Sequence, residues 1–298
     1  MKPTAHFLPL FLAASAMFAL VPGLASGYTL NIFGNANMDD LIDDADKDLL
    51  EEIAAGSKEP TKLADANQDG KIDSLDIDLV DRILKYEPAN ITIIDSANRT
   101  VSLEIPIESF AGLHTSPCRE FMMLGIEDRV VGVTNYVFDD PDLYPRLLDK
   151  IDIGTIYEPN YEAIAKAKPS VLIMTPGSYI DPVLPMVEPM GIKVIGLALS
   201  KDAYDSELML LGYISGKPDR ARAFLDWKQE TLDMIAERTK DLDDAQRLRV
   251  FSATMSALLK GEKELSPSLI GDHQIIDKAG AINVADDIAT GSKVDGEW

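Results

Sequence analysis

Apolar and polar positions recur with several different spacings along the chain. Residues 7–19 (FLPLFLAASAMFA) form one apolar run, preceded by Lys2 and followed by Pro22 and the small residues Ala25, Ser26 and Gly27. That arrangement predicts a secretory leader over residues 1–27. The competing reading is an anchoring helix, for which the run is short against the about 20 residues of a membrane span. Two helical patterns follow, Leu49, Leu50, Ile53 and then Leu79, Val80, Ile83, Leu84. Beyond them the period shortens. Residues 91–95 and 100–105 predict a strand pair around Asn98-Arg99, and 109–112, 129–134, 170–174 and 191–195 predict buried strands. Helices are expected to end at Gly125, to run over 160–169 up to Pro169, and to cover 182–190 and 206–215 up to Gly216. Strands alternating with helices predict a parallel sheet with helices on its faces.

A longer helical pattern, with Ala221, Phe224, Leu225, Leu232, Ile235 and Ala236 in phase, covers residues 218–242. At 1.5 Å per residue it is about 37 Å long, more than a small lobe uses alone. A strand at 248–252 and a helix around 275–279 open a further stretch. The expected organisation is a leader (1–27), a small domain (28–86), a polar connector (87–90), an α/β lobe (91–215), a long helix (218–242) and a partial second lobe (246–298). The second lobe is expected to be incomplete, because so few residues bury a βαβ sheet poorly.

The small domain holds an internal repeat. Asp65, Asn67, Asp69, Asp73 and Asp76 stand at positions 1, 3, 5, 9 and 12 of a twelve-residue loop, and Asn35, Asn37, Asp39, Asp43 and Asp46 take the same positions thirty residues earlier. Ca²⁺ wants about 6–8 oxygen ligands, and such a loop offers them at alternate positions, with the carbonyl of position 7 (Lys71, Leu41) as another. Gly70 sits where the loop turns sharply. Loop one has the neutral Asn35 at position 1 and Asp40 where glycine is expected, so strain and lost charge should weaken it. Ile42 and Ile72, both at position 8, are expected to join the loops through a short ladder. The pair resembles a dockerin, an all-α module with EF-hand-type loops. The resemblance implies structural calcium and a cohesin-like or other cell-surface partner, and it accounts for Asp at position 12.

Downstream, the phrases LGIEDRVVGVT, PNYEAIAKAKPSVLI and GIKVIGL resemble archaeal and bacterial solute-binding proteins of ABC importers, of the type that binds iron–siderophore complexes, haem or corrinoids (vitamin B12). The resemblance implies a two-lobe periplasmic-binding-protein-like α/β fold, with a long helix as the backbone between lobes. Such proteins hold their ligand between the lobes at strand ends. On topology this points to His114, Thr115, Tyr157, Ser178, Tyr179, Thr254 and Met255, and Tyr136 matches an aromatic position of corrinoid sites. Glu162 and Glu297 match positions that dock onto arginines of the ABC permease. The chain looks truncated against that family.

Composition narrows the functions. Fifty acidic residues against 28 basic ones give a net charge of -22, which disfavours nucleic acid as a partner. The single cysteine, Cys118, excludes an internal disulfide and a cysteine-cluster metal site. No nucleophile elbow, phosphate loop or His-Glu-x-x-His helix appears, so the expectation is a binding protein and not an enzyme. The leading reading is an exported protein, extracellular or on the periplasmic side, that captures an iron chelate, haem or corrinoid for a permease. The alternative is a calcium-dependent cell-surface interaction protein whose α/β lobe is secondary. Deleting residues 28–88 is expected to spare ligand binding under the first and to abolish partner association under the second.

Overall fold

The structure is a computed structural model, and it describes residues 28–200, 203–250, 264–265, 273–284 and 294–295. The leader, Thr254, Met255 and Glu297 lie outside the described residues, as does most of the second lobe.

Helices α1 (Asp44–Ala54) and α2 (Ser74–Lys85) each begin at the end of an acidic loop. Loop positions 9 and 12 double as the helix start. Asp43 caps α1 and Asp46 reaches back to the Asp43 N–H, while Asp73 and Asp76 do the same for α2. Each capping box satisfies two amides that the first helical turn would otherwise leave open. Leu50 and Ile53 of α1 and Leu79, Val80 and Ile83 of α2 are buried, as their periodicity requires.

The chain then forms an antiparallel hairpin, β1 (Ala89–Ile94) and β2 (Thr100–Ile105). β1 begins inside the stretch read as a connector. Residues 31–33 add to its free edge: the Phe33 N–H donates to the Thr92 carbonyl at 2.9 Å, and the Ile94 N–H to the Asn31 carbonyl at 2.9 Å. At the hairpin turn the fully buried Asp95 carboxylate accepts from Arg99 (2.6 Å) and from the Gly196 N–H (2.9 Å), tying the hairpin to the main sheet.

That sheet is wholly parallel, with strands β3 (Phe110–Gly112), β4 (Val130–Val133), β5 (Ile151–Asp152), β6 (Val171–Met174) and β7 (Lys193–Gly196) in the order β5-β4-β3-β6-β7. β3 and β6 are buried at every residue, as expected of central strands covered on both faces. The covering helices are α3 (Thr115–Leu124), α5 (Tyr161–Ala167) and the short α6 (Leu184–Val187), with the four-residue α4 (Tyr136–Asp139) after β4. α7 (Tyr204–Ser215) is buried from Glu207 to Ser215 and ends at Gly216. Gly216 has φ +67, and a Cβ there would stand 2.5 Å from the Tyr86 ring. The long helix α8 runs over Pro218–Thr239, three residues short of the expected end. Beyond it, Arg249–Val250 pairs in parallel with Ile282–Asn283.

Two expectations about loop one are corrected. No ladder joins Ile42 to Ile72, since the isolated bridges among the described residues are Ile32–Ile93 and Gly154–Pro159. The Ile42 N–H instead donates to the Tyr213 hydroxyl at 2.8 Å, and that hydroxyl donates to the Ile42 carbonyl at 3.0 Å. Asp40 carries no left-handed strain. Gly70 has φ +87, whereas Asp40 is absent from the positive-φ residues and pairs with Arg222 at 2.9 Å.

Residues 28–86 and the lobe share one hydrophobic cluster. Leu30, Ile32, Ile42, Leu50 and Val80 belong to it together with Ile93, Phe110, Phe121, Leu208 and Ile214.

Candidate functional site

Strand order reverses around β3, whose neighbours β4 and β6 send the chain to opposite sides. In open parallel sheets the crevice at the carboxyl ends beside such a switch point is the usual place for a ligand. His114 and Thr115 follow β3, Tyr136 follows β4, Tyr157 follows β5, and Ser178 and Tyr179 follow β6. All six described candidates therefore stand on one edge of the sheet.

The edge is aromatic and uncovered. Tyr157 is 66% exposed, Tyr136 41% and Tyr179 38%. β5 and β6 are three strand spacings apart, about 14 Å, yet their loops lean together. The Tyr157 and Tyr179 rings meet edge to face with centroids 5.4 Å apart. A tight loop displays Tyr157. Gly154 pairs with Pro159 across its base, and the Thr155 hydroxyl accepts from the N–H groups of Tyr157 (3.2 Å) and Glu158 (3.0 Å). The Asn135 N–H donates to the Gly154 carbonyl at 3.1 Å, joining that loop to the one bearing Tyr136. Phe138, 36% exposed on the same short helix as Tyr136, adds an aromatic that pattern reading missed. Its one sequence signal is a second aromatic two residues after Tyr136, directly before the acids of YVFDDPD.

His114 serves the fold. Its Nδ1 accepts the Ser116 N–H at 3.2 Å, which makes it the N-cap of α3. Burial, with the nearby Arg119 charge, holds its pKa below the ordinary histidine value, so the neutral ring that a cap needs is favoured. Thr115 lies against the Tyr144 hydroxyl. Glu162 is exposed in the first turn of α5.

The two acidic loops share most of their hydrogen bonds. In each, the position-12 carboxylate accepts from the N–H groups of positions 3 and 9 (Asp46 from Asn37 and Asp43; Asp76 from Asn67 and Asp73). Position 5 accepts from position 7, as Leu41 donates to Asp39 and Lys71 to Asp69. They differ at position 1. Asp65 accepts from the N–H groups of Asp69 and Gly70. Asn35, fully buried, donates its amide to the carbonyls of Leu30 (2.8 Å) and Asp39 (2.7 Å), and its Oδ1 has no hydrogen-bond partner. Burial, together with the charges of Asp39 and Asp43, raises the Asp46 pKa to about 6 against the hydrogen bonds it accepts. The donors are hard oxygens throughout, the chemistry Ca²⁺ takes. Among the described residues no three His, Cys, Asp or Glu side chains are gathered as a metal cluster. Here the carboxylates are turned to the amides of their own loops. An orphaned buried carbonyl oxygen in loop one and an acidic, glycine-turned loop two are nonetheless the features a calcium ion satisfies.

Among the described residues no helix is long and apolar enough to cross a membrane. The profile of the family described as periplasmic binding protein matches residues 111–289. No curated protein matches the chain. Among solved structures, a periplasmic solute binding protein of Veillonella parvula is similar at TM-score 0.55 and 18% identity, over 70% of this chain and 64% of that one. This chain thus spans less than two thirds of that relative's length. A molybdate periplasmic binding protein of Haemophilus influenzae is similar at TM-score 0.56 and 18% identity, over 68% of each chain. The petrobactin-binding protein of Bacillus subtilis is similar at TM-score 0.54 and 16% identity, over 69% of this chain and 72% of its own. These likenesses establish a two-lobe periplasmic-binding-protein-like α/β fold.

Proposed function

The chain belongs to the periplasmic binding protein family, and from that premise we propose that it is the exported solute-binding component of an ABC importer. It captures an iron chelate, haem or corrinoid outside the membrane and delivers it to the permease. One observation carries the reading: Tyr136, Tyr157 and Tyr179 are left uncovered together at the carboxyl edge of the parallel sheet. Exposed aromatic rings are paired there with no core to fill, which is how a stacking wall for a large, partly apolar ligand is built. A petrobactin-binding and a molybdate-binding protein among the similar folds support capture of a small-molecule cargo. Capture of this kind is binding, and no catalytic residue is invoked.

The test titrates the protein with a ferric siderophore, haem and cyanocobalamin, following tyrosine fluorescence. At least one probe should bind, and Tyr157→Ala or Tyr179→Ala should weaken it at least about tenfold. Failure of all three probes, or unchanged affinity in both variants, removes the reading.

Two further assignments belong to it. Glu162 is read as a docking contact for an arginine of the permease, its exposure at a helix start being the support. The acidic loops are read as structural calcium sites. Asp65, Asn67, Asp69, Asp73, Asp76 and the Lys71 carbonyl hold the ion in loop two, and Asn35, Asn37, Asp39, Asp43, Asp46 and the Leu41 carbonyl hold it in loop one. A bound ion would neutralise carboxylates that otherwise repel one another.

A further inference from the structure

Loop one is held from outside its own module. The hydroxyl of Tyr213, on α7, accepts from the Ile42 N–H and donates to the Ile42 carbonyl, which one hydroxyl can do with its proton and a lone pair. Two residues earlier, Arg222 of α8 pairs with the Asp40 carboxylate at 2.9 Å and reaches the Asp40 carbonyl at 3.4 Å. The ligand positions Asp39, Leu41 and Asp43 are therefore interleaved with Asp40 and Ile42, which are pinned to the two helices. On the other side of the contact, Leu208, Met209, Leu211 and Ile214 of α7 lie in the same buried cluster as Phe110 and Val133 of the cargo sheet. Asn35 is a second observation that points to a ligand at this loop: it is fully buried, its amide is committed to the Leu30 and Asp39 carbonyls, and its Oδ1 is unpartnered.

We infer that Tyr213 and Arg222 couple loop one to the cargo-binding lobe, so that calcium binding at the loop is expressed as stability of the lobe. The inference rests on the calcium reading above. An ion that binds the folded loop and not the unfolded one stabilises whatever unfolds with that loop. Tyr213 and Arg222 extend that unit to the α7–α8 corner, from which the long helix departs. The same two contacts place the acidic module against the lobe as a brace.

Hydrogen exchange on the full chain, with calcium and with a chelator, tests it, alongside calorimetric titration of calcium. At about ten times its Kd, calcium should slow exchange about tenfold in residues 35–46 and equally in residues 204–225. Tyr213→Phe, which keeps the ring and removes the hydroxyl, should retain the response of 35–46 and lose most of that in 204–225. Arg222→Gln should do the same in part, and it reports alone should Tyr213→Phe fail to fold. Calcium protection confined to the loops in the parent protein overturns the coupling and leaves the calcium reading standing. An unchanged response of 204–225 in every variant that folds also overturns it. No calorimetric heat together with no change in exchange overturns the calcium reading, and the coupling with it.

Discussion

Glu120, on α3, is only 5% exposed, and the Tyr204 hydroxyl is its side-chain partner. Burial raises its pKa, opposed by that hydrogen bond and by the Arg119 charge. A carboxyl whose folded-state pKa lies above the unfolded value favours folding in its protonated form. That stability is complete below the unfolded pKa and is lost as pH rises through the folded one. Glu120→Gln should therefore raise the melting temperature at about pH 8, with the gain shrinking towards about pH 4 as the parent carboxyl takes up its proton. Thermal scans of both proteins across that range check it, and a gain independent of pH would mean that desolvation is not the cause. His114 makes a related point. Its place after a strand made it a ligand candidate, and only the helix that starts at Thr115 shows its Nδ1 to be occupied as a cap.

Elements built from local spacing were legible. Oxygen side chains at loop positions 9 and 12 start α1 and α2 because one carboxylate caps the helix and the next returns to the cap. The strands expected at 170–174 and 191–195 form as Val171–Met174 and Lys193–Gly196, the second displaced towards Gly196. β5 was not legible, since two residues carry no periodicity and Ile151–Asp152 is a strand only because β4 lies beside it. The loop after it depends on one backbone position. Gly154 has φ +83, and a Cβ there would stand 2.3 Å from the Glu158 carbonyl oxygen. Gly154→Ala should cost about 1–3 kcal/mol and displace Tyr157 from Tyr179. Chemical denaturation measures the first effect, and cargo affinity, falling along with that of Tyr157→Ala, measures the second.

At the scale of the molecule, residues 28–86 and the lobe are folded onto each other by two reciprocal tyrosines. Tyr213 reaches into loop one, while the Tyr86 hydroxyl, at the end of α2, accepts from the Ile107 N–H (3.2 Å) and donates to the Ile214 carbonyl (3.0 Å). Deleting residues 28–88 would strip the edge of β1 and uncover Ile93, Leu208 and Ile214. The expected outcome is an insoluble or unfolded lobe, contrary to the expectation that ligand binding survives the deletion; soluble yield and circular dichroism of the shortened chain decide it. Glu162→Arg, on the exposed start of α5, should leave cargo affinity unchanged and lower permease-coupled uptake; equal uptake would return Glu162 to a plain helix-start acid. The sequence by itself determined the repeated spacing of the acidic loops, the alternation of strands and helices and the family resemblance, because each is written in near neighbours. Tertiary structure alone decided that Tyr157 and Tyr179 meet, that Tyr213 replaces a loop-to-loop ladder at Ile42, and that the acidic module belongs to the lobe's core. Those contacts join residues 22 to 171 positions apart, and no local period records which distant side chain a folded chain brings to a given backbone group.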